Sequence, residues 1–154
     1  MNIITNQIFI GLVEIPDEIS LIIPVAGCGH SCIGCHSPEF KNKNNGIFFS
    51  MEDFKNLILK FNKKVSCICF FNGYIQDIFY YVEEAKLEGF KTAFYTGNDY
   101  LDPILYKYFD YIKYGHYDSN LGGLREKTTN QILLKKEKDD SWINITNKFW
   151  RTYD

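Results

Sequence analysis

Leu21-Ile22-Ile23-Pro24-Val25-Ala26 runs through Gly27 into Cys28-Gly29-His30-Ser31-Cys32-Ile33-Gly34-Cys35-His36. The first stretch is an apolar run of strand length, bounded by glycine. The second packs three of the chain's five cysteines into the order Cys-x3-Cys-x2-Cys. A strand that empties into a cysteine-rich loop is a place to bind a metal centre.

Working outward, residues 7–15 read as an extended segment, Pro16-Asp17 as a turn, and residues 18–26 as the strand that carries the loop. Downstream, Lys41-Asn42-Lys43-Asn44-Asn45-Gly46 is a polar connection. Ser50 reads as an N-cap with Asp53 three positions on, and Met51, Phe54, Leu57, Ile58 and Phe61 recur at helical spacing. Residues 65–71 form a buried-strand run ended by Asn72-Gly73. Ile75, Ile78, Phe79 and Val82 mark a second helix, closed by Gly89. Residues 91–96 are a strand, and Asp102-Pro103 fits the opening of a short third helix. Residues 110–114 are a further strand, ended by Gly115.

This alternation predicts a parallel sheet with right-handed crossovers. Gly27, Gly73, Gly97 and Gly115 each follow a strand, so four turns fall at the carboxyl edge, where α/β folds bind ligands. The cysteine loop falls there too. A closed eight-stranded barrel typically needs about 250 residues; this chain has 154. The expected fold is therefore α/β: a single-domain open, partial (β/α) barrel of mostly parallel strands, with the cysteine loop after its first strand. One domain is expected over residues 1–154, with N-terminal strands at 1–26, a βα core at 27–115 and an irregular tail at 116–154. In that tail, residues 142–150 are expected to cover an edge of the sheet.

Composition narrows the function. Hydrophobic residues at 45% and charged residues at 23% describe a globular chain rather than a disordered one. The 13 Phe and 11 Tyr read first as an aromatic core. Net charge is −2 and no basic block tracks a phosphate backbone, which argues against nucleic acid as a partner. No apolar run approaches the roughly 18 residues that span a bilayer, so no membrane association is expected. The start of the chain lacks the basic region of a signal peptide, and a cytoplasmic location follows. Thiols stay reduced there, so clustered cysteines point to metal or redox chemistry rather than disulfides.

Several chemistries use such a loop. A structural zinc site takes four ligands, and His30 or His36 would have to complete it. Cys32-Ile33-Gly34-Cys35-His36 matches the haem-attachment pattern, but the α/β order leaves no obvious haem pocket. A thiol-exchange pair of Cys32 and Cys35 leaves Cys28 without a role. A [4Fe–4S] cluster held by three thiolates keeps one iron open to a substrate. Cys67 and Cys69 lie two apart on a buried strand, face the same way, and read as core.

The Cys-x3-Cys-x2-Cys spacing of Cys28, Cys32 and Cys35 resembles the radical S-adenosylmethionine superfamily. Gly34-Cys35-His36-Ser37-Pro38-Glu39 and Asp110-Tyr111-Ile112-Lys113-Tyr114-Gly115 resemble, more narrowly, activating proteins of anaerobic ribonucleotide reductases. So do Gly122-Gly123-Leu124, Thr128-Thr129-Asn130-Gln131 and Ile145-Thr146-Asn147-Lys148-Phe149-Trp150. The matches run from about residue 8 to the end of the chain.

The resemblance implies a [4Fe–4S] cluster on Cys28, Cys32 and Cys35 that reductively cleaves S-adenosylmethionine, giving a radical that abstracts hydrogen from a glycine Cα. Gly34, Cys35, His36, Asn72 and Gly73 are then expected to line the cofactor. Thr96-Gly97 is a further candidate by position, while His30 and His116 read as loop residues. The implied partners are the anaerobic ribonucleotide reductase large subunit and a one-electron donor such as a flavodoxin. No side-chain acid or base is required, so no catalytic residue is expected. The rival readings are an activase of another glycyl-radical enzyme and a non-catalytic zinc or electron-transfer module. One departure stands out: the similar proteins carry Gly-Gly-Glu or Gly-Gly-Asp where this chain has Asn72-Gly73-Tyr74.

Overall fold

A computed structural model describes residues 1–29, 33–35 and 38–150. Its centre is a seven-stranded mixed sheet. In chain order the strands are β1 (Asn2–Ile3), β2 (Phe9–Gly11), β3 (Ser20–Pro24), β4 (Ile47–Phe48), β5 (Cys67–Phe71), β6 (Lys91–Tyr95), β7 (Tyr111–Tyr114), β8 (Ile132–Lys136) and β9 (Trp142–Asn144). The helices are α1 (Met51–Lys60), α2 (Ile75–Leu87) and α3 (Leu105–Tyr108). The sheet order is β2-β3-β5-β6-β7-β8-β9, while β1 and β4 form a separate ribbon. β3, β5, β6 and β7 run parallel, and antiparallel strands flank them on both sides.

The helix ends follow the local chemistry. Ser50 Oγ accepts from the Asp53 N–H at 3.0 Å, and the Asp53 carboxylate accepts from the Ser50 N–H at 3.4 Å. This closes the expected capping box on α1. α2 ends in a Schellman motif: Gly89 adopts φ +89°, its N–H donates to Lys86 O, and the Phe90 N–H donates to Ala85 O. The third helix is a short one; Asp102 Oδ1 accepts from the Ile104 N–H at 3.0 Å just before it.

Alternation along the strands divides the core. Leu21, Ile23, Ile68, Phe70, Phe94 and Ile112 pack with Phe54 and Ile58 of α1, Ile78 and Val82 of α2, and Leu105 of α3. Ile22, Cys67, Cys69, Ala93 and Tyr111 point to the other face, against Ile15, Leu133 and Ile145. All three helices therefore cover one face. The other is covered by loops and a short 3-10 helix, Thr146–Trp150, on either side of a cavity. No helix among the described residues is long and apolar enough to cross a membrane.

The segment expected as an irregular tail supplies β8 and β9, which extend the sheet antiparallel to β7. Its strand signal is weak because only Leu133 of β8 is buried and Lys135 and Lys136 stand in the same five residues. The extended reading of residues 7–15 also shortens to β2, after which residues 12–15 bend.

At the amino edge Glu18 is buried. Its carboxylate accepts from Tyr111 Oη at 2.8 Å and from Ser66 Oγ, and pairs with Lys91. Burial pushes the Glu18 carboxyl up, but the bonds from Lys91, Ser66 and Tyr111 outweigh it and hold the carboxyl below its ordinary value. A depressed carboxyl stabilises the fold above the unfolded value of about 4.3 and loses that contribution as pH falls through the folded value. Glu18→Gln is expected to cost roughly 1–3 kcal/mol at pH 7. In urea denaturation the variant should also show a smaller fall in stability than wild type below about pH 4.3. Equal pH profiles for the two would show that Glu18 is not the titrating group.

Candidate functional site

Four turns meet at the carboxyl edge of β3, β5, β6 and β7. After β3, Gly27 adopts φ +98°, and the N–H groups of Gly27 and Cys28 both donate to Phe40 O, at 2.7 and 2.8 Å. After β5, Asn72 and Gly73 adopt φ +65° and +97° in succession. Asparagine is among the few non-glycine residues that tolerate this left-handed region. A Cβ on Gly73 would also meet Val25 Cγ1 at 3.0 Å. Thr96-Gly97 follows β6, and Gly115 follows β7.

A cavity of about 590 Å³ opens beneath these turns; Cys28, Cys35, Phe71, Asn72, Tyr95 and Lys113 are among its walls. A smaller hollow of about 200 Å³ adjoins it, lined by Gly73 and Tyr74 among others, with Cys28, Asn72, Thr96 and Gly97 shared between the two. Of the expected site residues, Cys28, Cys35 and Asn72 thus share one cavity and Gly73 sits in the adjoining hollow. Gly34 is exposed, adopts φ +73°, and lies against Tyr117 and Ser119; it lines neither space. Cys32 and His36 lie outside the described residues, as does His30. Among the described residues no group of three or more His, Cys, Asp or Glu gathers as a metal site.

Thr96 and Gly97 line the larger cavity, as their position after the third parallel strand suggested. His116 is held by Asp99: its N–H donates to Asp99 Oδ1 at 3.1 Å and its Nδ1 lies 2.7 Å from the same oxygen. Cys67 and Cys69 are fully buried, and burial pushes both thiols well up. They are core residues, in line with their strand spacing.

The remaining walls come from segments distant from the cysteine loop in sequence. Val13 and Glu14 reach the cavity from the bend after β2, and Tyr95 Oη donates to the Glu14 carbonyl. Tyr117 and residues 123–126 form another wall, fastened where Trp150 Nε1 donates to Leu124 O at 3.0 Å. Lys113 is the cavity residue with a readable signal: a lysine inside an otherwise apolar and aromatic strand. No protein-family model, curated protein or solved structure matches the chain.

The two thiol environments differ enough to measure. In reduced, metal-free protein, Cys28 and Cys35 are expected to alkylate at least about 100-fold faster than Cys67 and Cys69, whose thiolates are suppressed by burial. Residue-resolved mass spectrometry of a labelling time course reads this directly. Comparable rates at all four positions would mean that β5 is open to solvent.

Proposed function

We propose that the chain is a radical S-adenosylmethionine activase that generates the glycyl radical of an anaerobic ribonucleoside-triphosphate reductase. The observation that carries this reading is the convergence of Cys28 and Cys35 with Asn72 on one cavity at the carboxyl edge of the parallel strands. Both cysteines are partly accessible and soft thiolate donors, and the cavity has room for more than a single ion. The donor set therefore suits an iron–sulfur cluster, with Cys28, Cys32 and Cys35 as the holding residues.

When bound, a [4Fe–4S] cluster with S-adenosylmethionine would supply a carbon-centred radical able to remove hydrogen from a glycine Cα. The chain's own residues bind and orient. Cys35, His36, Asn72 and Gly73 are the proposed cofactor-lining set, and Gly34, which lines neither space, is not kept in it. The left-handed backbone at Asn72 is one that glycine adopts readily, so the departure from Gly-Gly preserves the turn. The strand order supports an open, partial barrel, because β2 and β9 end the sheet without pairing to each other. An open edge suits a macromolecular substrate whose glycine loop must enter from outside. A one-electron donor such as a flavodoxin completes the proposed system.

Anaerobic reconstitution is expected to load about four irons per chain. Cys28→Ala, Cys32→Ala and Cys35→Ala should each lose the cluster, while Cys67→Ala should keep it. Adding S-adenosylmethionine should change the electron paramagnetic resonance spectrum of the reduced protein. With the cognate reductase, a doublet from a glycyl radical should follow. Zinc in place of iron would favour a structural module. A spectrum indifferent to S-adenosylmethionine would favour an electron carrier, and a radical formed only on another glycyl-radical enzyme would change the partner.

A further inference from the structure

Phe40 reaches the cysteine loop through both its backbone and its ring. It lies in a short 3-10 helix, Pro38–Lys41. Its carbonyl accepts from the N–H groups of Gly27 and Cys28 together, at 2.7 and 2.8 Å. Two consecutive donors on one oxygen fix the direction in which Cys28 leaves the strand end. Phe40 is 5% exposed and packs with Ile4 and Ala26 in a small apolar cluster, apart from the two larger ones. Cys28 and Phe71 pack against that cluster, and both share the wall of the larger cavity with Phe40.

The polar connection that follows keeps Phe40 in place. Asn45 Nδ2 donates to Glu39 O at 2.9 Å, and Asn42 Oδ1 accepts from the Asn44 N–H at 2.9 Å. A Cβ on Gly46 would meet Ala26 Cβ at 2.7 Å, so glycine lets this segment close against the end of β3. Carbonyl and ring are thus both held at the start of the cysteine loop. An apolar wall keeps water and dissolved reagents off a thiolate. One-electron reduction adds negative charge to a thiolate-held cluster. An apolar wall disfavours that added charge and so lowers the reduction potential.

We propose that Phe40 is a positioning residue for Cys28: its carbonyl sets the backbone of this ligand, and its ring shields the sulfur and keeps the potential of the cluster low. The claim on the cluster rests on the activase reading above, whereas the claim on Cys28 concerns the chain alone.

Three measurements test it. In wild type, the amide hydrogens of Gly27 and Cys28 should exchange at least about tenfold more slowly than in an unstructured peptide. In reduced, metal-free protein, Phe40→Ala should raise the alkylation rate of Cys28 relative to Cys35 by at least about fivefold. Phe40→Leu, which keeps an apolar cover, should stay within about twofold of wild type. In anaerobically reconstituted protein, potentiometric titration should show Phe40→Ala favouring the reduced cluster by about tenfold, an upward shift of about 59 mV for one electron. Unprotected amides at Gly27 and Cys28 in wild type would overturn the assignment, whether or not any variant folds. An unchanged rate ratio in folded Phe40→Ala would overturn it too. A raised ratio with an unchanged potential would overturn the claim on the cluster. Protein that takes up zinc and no iron would instead overturn the activase reading, and the labelling ratio would still decide whether Phe40 covers Cys28.

Discussion

Parallel strands cannot be joined by a hairpin, and the structure follows from that constraint. Three crossovers link β3 to β5, β5 to β6 and β6 to β7, each through a helix. Crossovers of this kind are right-handed, and here the strand order never reverses, so every helix arrives on the same face. The apolar load is concentrated there. Phe54 approaches Phe70 at 6.1 Å, Phe70 meets Phe109 edge-on at 6.5 Å, and Phe109 stacks on Phe94 at 5.1 Å. Rings of this size exclude water from the whole helix side. The other face is left to loops and a short 3-10 helix, Thr146–Trp150, and that is where a cavity can exist.

The same constraint puts chemistry at the carboxyl edge. Each parallel strand must leave the sheet there and turn sharply toward its crossover or, after β7, toward the loop that precedes β8. The left-handed backbone at Gly27, Asn72, Gly73 and Gly115 does this turning. Small or permissive residues at these points keep the backbone near the cavity, and they let Cys28 and Asn72 sit on its wall instead of behind a turn.

The opposite wall is built from distant parts of the chain. Glu14 and Tyr95 are joined by a hydrogen bond across 81 residues, and Leu124 and Trp150 across 26. Thr128 Oγ1 on Leu121 O and Thr129 Oγ1 on Gly122 O tie the loop after β7 into a fixed shape. These polar bonds do on this side what helix packing does on the other.

Much of the architecture was legible from local pattern. The α1 capping box, the glycine stop of α2 and the buried Cys67-Ile68-Cys69-Phe70 run are short-range features, decided within a few residues by propensity and alternation. The carboxyl-edge position of Cys28 followed from strand and glycine spacing alone. β8 and β9 were not legible, because a strand such as β8 with one buried residue and two lysines carries little alternation; pairing with β7 on one side and β9 on the other makes it a strand. The cavity was not legible either. Glu14, Lys113, Tyr117 and Phe149 share no motif and meet only because the sheet brings their segments to one face. Residues coupled along the chain declare themselves in sequence, whereas residues coupled across a sheet are brought together only by the fold.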